Sequence, residues 1–135
     1  MIKNPIFKFI VVLVILLAFD SIWLGHIQKA NFNKLVKNIQ GSEIKMRFVP
    51  AVFAYLLMGL AIYSFVLPHL TKDNFNQVSW QKGALLGLVV YGIFDMTNMA
   101  IFKNYSWFMA LTDMAWGTFL FGLTSWLMGF ILYRI

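Results

Sequence analysis

Three of the five acidic residues of this chain lie inside long apolar runs. They are Asp20, Asp95 and Asp113, whereas Glu43 and Asp73 lie in the polar stretches between runs. A carboxylate at the centre of a membrane helix costs about 2.5–3.5 kcal/mol on insertion scales, so it usually has a partner or a function. These three acids are therefore the candidate functional residues of the sequence.

Two of the acids are followed by a tryptophan at helical spacing. Trp23 stands three residues after Asp20, and Trp116 stands three residues after Asp113. Residues three apart lie on the same face of a helix, so each carboxylate is expected beside an indole ring. This pairing favours a cation or an amine as the ligand, through charge attraction and cation–π contact.

The third acid, Asp95, lies in the stretch YGIFDMTNMA at residues 91–100. Thr97 and Asn98 follow it closely and supply a hydroxyl and an amide. Three carboxylates close together should not all stay ionised, so one or two of them are expected to hold a proton near neutral pH. The candidate binding residues are Asp20, Trp23, Asp95, Thr97, Asn98, Asp113 and Trp116.

The chain contains few residues that could carry out thiolate or imidazole chemistry. The sequence has no cysteine, and its two histidines are His26 and His69. Disulfides, thiolate metal sites and cysteine nucleophiles are therefore excluded. No glycine-rich phosphate loop occurs either. Neither a metal site nor a cofactor is expected.

The composition is that of a membrane protein. Of the 135 residues, 61% are hydrophobic and 12% are charged, against about 45–50% and about 25% in soluble chains. The net charge of +6 is carried mainly by residues between the apolar runs, where basic side chains meet anionic headgroups. A lipid bilayer is therefore the expected partner, and nucleic acid is not.

Four apolar runs approach or exceed the length of about 20 residues that crosses a bilayer. They predict an all-α integral membrane protein, with four transmembrane helices in an antiparallel bundle and both termini on one side. The whole chain, residues 1–135, is predicted to be a single domain. The predicted spans are residues 6–24, 48–67, 83–102 and 107–133.

A cleaved signal peptide is the alternative for the first run, because Lys3 and Lys8 precede its apolar core. No small-residue cleavage pattern follows, which favours a retained helix. Between the first two runs, apolar residues recur at helical spacing among lysines, and this predicts a short amphipathic helix on the headgroups. Gly41 is expected to end that helix.

The third run is predicted to follow a loop at residues 68–82. Gly83 and Gly87 share one helical face, which permits close approach of a neighbouring helix. Residues 103–106 form a short turn, so the third and fourth runs predict an antiparallel hairpin. In this topology the three acids all lie roughly 8–10 Å from the same membrane edge.

Three motifs resemble those of a known bacterial family of small membrane proteins without an assigned function. They are FDSIWLG at residues 19–25, YGIFDMTNMA at 91–100 and TDMAWG at 112–117. Where that family usually has a tyrosine before the acid of the third helix, this chain has Phe94. The resemblance covers nearly the whole chain. It implies four membrane helices. The expected location of the protein is the bacterial inner (cytoplasmic) membrane.

Three functions are compatible with these residues. The first, slightly favoured, is a small homo-oligomeric membrane protein that binds or transports a proton, cation or amine at its carboxylates. The second is a membrane-embedded enzyme acting on lipid headgroups, with a carboxylate pair as general acid and base. The third is a scaffold or accessory subunit whose polar layer fixes the helix register.

Overall fold

The computed structural model describes residues 3–135, and within this range it contains helices and no strand. All of its α-helices except α2 are long and apolar enough to cross a membrane. The predicted all-α fold class with four membrane helices is therefore confirmed. The helices are α1 (Pro5–Ile22), α2 (Lys29–Gln40), α3 (Phe48–Phe65), α4 (Phe75–Ile101) and α5 (Trp107–Arg134).

Local sequence signals explain several of the helix ends. The Asn4 side chain accepts hydrogen bonds from two backbone N–H groups in the first turn of α1, and Ser106 Oγ accepts one from Met109 N at 3.1 Å at the start of α5. Such caps satisfy donors that have no partner within the helix. Helix α2 ends at Gly41, whose φ of 74° lies in the left-handed region that favours glycine.

Helix α1 continues into a single π-helical turn, Trp23–Ile27, before α2 begins. The Gln28 N–H closes this turn by donating to the Trp23 carbonyl at 2.8 Å. Turns of this kind occur frequently at functional sites, and this one directly follows the segment that carries Asp20. No signal in the sequence predicts it.

Helix α4 begins well before the predicted span, so the predicted loop at residues 68–82 is shorter than expected. Thr71 and Asn74 exchange two backbone-to-side-chain hydrogen bonds at 2.7 and 3.2 Å, which organise the entry to the helix. Phe75 then packs under Tyr133, with ring centroids 6.1 Å apart. This buried contact attaches the first turn of α4 to the end of α5.

Helices α4 and α5 pack backbone against backbone. A Cβ atom on Gly87 would overlap the carbonyl of Gly117, and a Cβ on Gly83 would lie 2.7 Å from the carbonyl oxygen of Phe121. The close approach predicted from these two glycines is therefore confirmed. It lets side-chain and backbone van der Waals contacts hold the hairpin together where the lipid gives no hydrophobic driving force.

The remaining helices complete a bundle around α5. Helix α1 packs against α3 and α5, whereas α3 and α4 contact each other only sparsely. The α4–α5 hairpin is thus the most closely packed part of the bundle, and α3 and α4 form a sparsely packed seam. The location of both termini on one side of the membrane and the single-domain organisation of residues 1–135 stay predictions.

Candidate functional site

A cavity of about 490 Å³ lies between the membrane helices and beneath α2. Most of its wall is aliphatic or aromatic. Among the described residues no lysine, arginine or histidine lines it, although the protein as a whole is basic. Its polar lining consists of Asp20, Gln28, Tyr91, Tyr105 and Asp113.

Asp20 joins three helices at one edge of the cavity. The side chain is only 5% exposed. One carboxylate oxygen accepts a hydrogen bond from Trp116 Nε1 on α5 at 2.9 Å, and the other accepts one from the Tyr55 hydroxyl on α3. Both oxygens of this buried carboxylate therefore have donors, as its burial requires.

Asp95 lies behind the cavity wall and is fully buried. The Tyr105 hydroxyl donates to its Oδ1 at 2.6 Å, and among the described residues Oδ2 has no donor. Burial, followed by this hydrogen bond, raises the pKa of the Tyr105 phenol above its usual range. The phenol therefore stays protonated and acts as a donor to the carboxylate.

Asp113 lies in the cavity wall next to Asp95. A proton shared between these two carboxyls would satisfy the unpaired Oδ2 of Asp95 and remove one of two adjacent negative charges. Tyr91 lies within electrostatic range of all three acids, including Asp20. In residues 3–135, however, no group of three or more His, Cys, Asp or Glu side chains is arranged so that it could hold a metal ion.

The two predicted indoles stack on each other. The ring centroids of Trp23 and Trp116 lie 4.7 Å apart with the ring planes 1° from parallel. Trp23 lines the cavity, whereas Trp116 lies behind it and donates to Asp20 on the neighbouring helix rather than to Asp113. One indole is thus available to a ligand, and the other positions a carboxylate.

The structure separates the two predicted neighbours of Asp95. Thr97 is exposed and does not line the cavity, because two residues correspond to about 200° of rotation around a helix. Asn98 is half-buried and lies beside the Tyr105 hydroxyl. The cavity therefore contains Asp20, Trp23 and Asp113 of the predicted set, with Asp95, Asn98 and Trp116 supporting it.

Sequence reasoning missed the hydroxyl donors. Tyr55 belongs to the second apolar run, which contains no acid, and Tyr105 belongs to a turn, yet each donates to one of the buried acids. Both could have been found by asking which hydroxyls lie at the depth of the acids. Gln28, which is buried in the cavity wall and bonded to Asn31 at 2.8 Å, follows a π-helical turn that nothing predicted.

Helix α2 covers the end of the cavity near the acids. Phe32 and Leu35, on its apolar side, contribute to the wall. The Asn104 side chain, from the turn before α5, donates to the Asn38 carbonyl at 2.8 Å and holds the end of α2 in place. The amphipathic helix predicted between the first two runs thus forms part of the site.

The chain belongs to the family described as predicted membrane protein (DUF2177), whose sequence model matches residues 5–130. This match confirms the resemblance that the three acidic motifs carry. No curated protein and no solved structure shows significant similarity to the chain.

Proposed function

Starting from membership of this family, we propose that the protein binds an organic cation, namely an amine, at the carboxylates of its cavity. The observation that carries the proposal is the presence of Asp20 and Asp113 in a largely apolar wall without a basic residue. Inside a low-dielectric environment an unpaired carboxylate strongly attracts a cation. The fully buried Asp95 shares one proton with Asp113 in this proposal, so the pair keeps a single negative charge for the ammonium group to meet.

The size and lining of the cavity favour an organic ligand over a bare alkali ion. Ligand sites for small molecules typically enclose about 300–1,000 Å³, with mostly apolar walls and a few polar groups that fix orientation. An ammonium group can meet the acids while the carbon part of the ligand contacts residues such as Leu57 and Met58. A small inorganic ion would leave most of this space unfilled.

Asp113 is the principal counter-ion in this proposal. Both oxygens of Asp20 are engaged by Trp116 and Tyr55, whereas none of the phenol or indole donors of the site bonds to Asp113. Its carboxylate faces the cavity and has capacity for an ammonium donor. Trp23, in the same wall, supplies an aromatic face for cation–π contact.

The proposal is tested by thermal unfolding of the detergent-purified protein with methylamine, butylamine, octylamine or potassium chloride at equal ionic strength. A ligand present at a hundred times its Kd stabilises the native state by about 2.7 kcal/mol. We expect the amines, and not potassium, to raise the melting temperature. The rise should disappear in Asp113→Asn and shrink in Asp20→Asn.

Asp73→Asn is the matched control, because it removes a carboxylate of the same type from an exposed loop position. It should keep the full response to amines. If amines stabilise the protein no more than potassium does, or if all three variants respond equally, the cavity acids are not an amine site. The acids would then be interhelical contacts, which is the scaffold alternative.

A further inference from the structure

We infer that the ligand is an amphiphilic amine that enters the cavity sideways from the bilayer, through the seam between α3 and α4. This inference rests on the proposed amine site and adds the class of its ligand and the route of entry. The seam, the cover formed by α2 and the depth of the acids each support it.

The seam is a sparsely packed boundary of the cavity. Leu57 on α3 and Phe94 on α4 both line the cavity, and with 63% and 57% of their surface exposed they are not enclosed by the bundle. In a membrane, exposed apolar side chains of such helices meet lipid chains. A side chain that contacts lipid on one side and the cavity on the other marks the boundary that a ligand from the bilayer must pass.

The α3 side of the seam is built from one helical face. Ala54, Leu57, Met58 and Ala61 all line the cavity, and their spacing of three and four residues places them on the same stripe. The two alanines contribute only methyl groups beside Leu57, so Leu57 and Phe94 are the large side chains of the seam. Passage between α3 and α4 thus requires side-chain movement, and side-chain rotamers exchange within picoseconds to nanoseconds where they are exposed.

Helix α2 covers the end of the cavity near the headgroups, and two specific contacts attach it there. Leu35 of α2 is buried against the site, and the Asn104–Asn38 hydrogen bond of 2.8 Å ties α2 to the turn before α5. Tyr105 of the same turn is bonded to Asp95. Entry from water would require α2 to move as a unit and these contacts to break.

The positions of the acids define the orientation of the ligand. Asp20 lies just before the π-helical turn that leads to α2, and Asp113 lies in the second turn of α5, which α2 contacts. From there the cavity extends along α3 and α4 to Ala61 and Val90, where its wall is apolar. A long-chain amine fits this arrangement, with its ammonium group at the acids and its chain pointing toward the membrane centre.

The absence of native cysteine allows each route to be blocked separately. The seam is locked by Leu57→Cys with Phe94→Cys, and α2 is locked by Asn38→Cys with Asn104→Cys, each pair being joined by the same short thiol cross-linker. The protein is reconstituted in phosphatidylcholine nanodiscs. The probe is a spin-labelled alkylamine, and the rate at which it quenches tryptophan fluorescence is followed before and after cross-linking.

Locking the seam should slow quenching by about tenfold or more, because a gated site associates more slowly, whereas locking α2 should leave the rate unchanged. Ala54→Phe, which narrows the seam without a cross-link, should also slow it. Slowing by the α2 lock, or an unchanged rate with the seam locked, would overturn lateral entry while leaving amine binding intact. If the probe does not bind even to the unlocked protein, the proposed function itself fails.

Discussion

The α4–α5 hairpin and the α1–α3 pair are both built from apolar helices, but they pack in different ways. In the hairpin, Gly87 lies against the backbone of Gly117, and a Cβ on Gly117 would overlap the Tyr91 ring. In the α1–α3 pair, Gly59 meets the side chain of Leu13 instead. One interface is therefore closed by backbone atoms, and the other is closed by side chains that can move.

The two halves therefore differ in rigidity. In an apolar 18-residue stretch of α5 half of the residues are buried, against 17% in the corresponding stretch of each of the other three spans. Helix α5 carries Asp113 and Trp116, and its partner α4 carries Asp95, so two of the acids lie on the rigid part of the molecule. Helix α3 and the seam beside it form the adaptable wall. Rigid placement of the acids beside an adaptable wall is the combination that the proposed amine site requires.

The largest expected effect of a single methyl group is at the centre of the hairpin. Gly87→Ala places a Cβ against the Gly117 carbonyl, a backbone atom that cannot move unless the helices separate. Overpacking of this kind costs about 1–3 kcal/mol. We expect a clear fall in the melting temperature of the detergent-purified protein.

Gly25→Ala is the control, because no atom lies within 4 Å of the added Cβ. It should melt close to the wild type. Equal melting temperatures for Gly87→Ala and the wild type would show that the hairpin is not closed by backbone contact, and the contrast between the two halves would then be lost.

The next largest effect concerns the bond that connects the halves. Trp116→Phe removes the indole donor to Asp20, 2.9 Å away, and leaves a buried carboxylate oxygen unpaired. Such a loss costs about 1–3 kcal/mol. Chemical denaturation in detergent micelles should show this destabilisation.

Trp126→Phe is the matched comparison, since it removes a 2.9 Å indole bond to Asn76 at an exposed position within the hairpin. Water or headgroups can replace that donor, so the cost should be about 0.5 kcal/mol or less. If both variants lose the same stability, the bond to Asp20 has no special role in joining α1 to α5.

The sequence predicts the helices and the buried acids better than it predicts the contacts between the helices. The number of spans, the buried glycine face and the amphipathic α2 follow from composition and periodicity, because each is a property of single segments. The three acids are found for the same reason, since a carboxylate in an apolar run is conspicuous.

The sequence does not predict which hydrogen-bond donor pairs with which acid. Helices α1, α3 and α5 are apolar on all sides, so no hydrophobic stripe indicates which face turns inward. The pairing of Asp20 with Tyr55 and Trp116 depends on helix rotation, which is set by packing. At Asp95 the hydroxyl donor is Tyr105, ten residues further along the chain in the turn before α5.

A smaller effect depends on pH. Because the folded-state pKa of Tyr105 is raised, its phenol favours the folded state below the unfolded pKa of about 10, and this contribution is lost as the pH rises above that value. Tyr105→Phe lacks both the hydrogen bond, worth about 0.6 kcal/mol in membrane proteins, and the pH dependence.

Melting temperatures of the wild type and Tyr105→Phe should therefore differ at pH 7 and converge only as the pH rises above 10, towards the raised folded-state pKa. Tyr133→Phe serves as the control, since its hydroxyl donates to the Leu70 carbonyl rather than to an acid. A difference for Tyr105→Phe that stays constant with pH would mean that the phenol does not support Asp95.

The smallest effect is expected at Gly59, and it tests the contrast most directly. In Gly59→Ala the added Cβ lies 2.7 Å from Cδ2 of Leu13, the end of a flexible side chain that can rotate away. Replacement of a mid-helix glycine also gains about 0.8–1.0 kcal/mol in helix propensity, which offsets the crowding. The glycine-to-alanine change that clearly lowers the melting temperature at Gly87 should thus alter it little at Gly59. If Gly59→Ala proves as costly as Gly87→Ala, α3 is held as rigidly as α5, and the seam beside it would not open to the bilayer by side-chain movement.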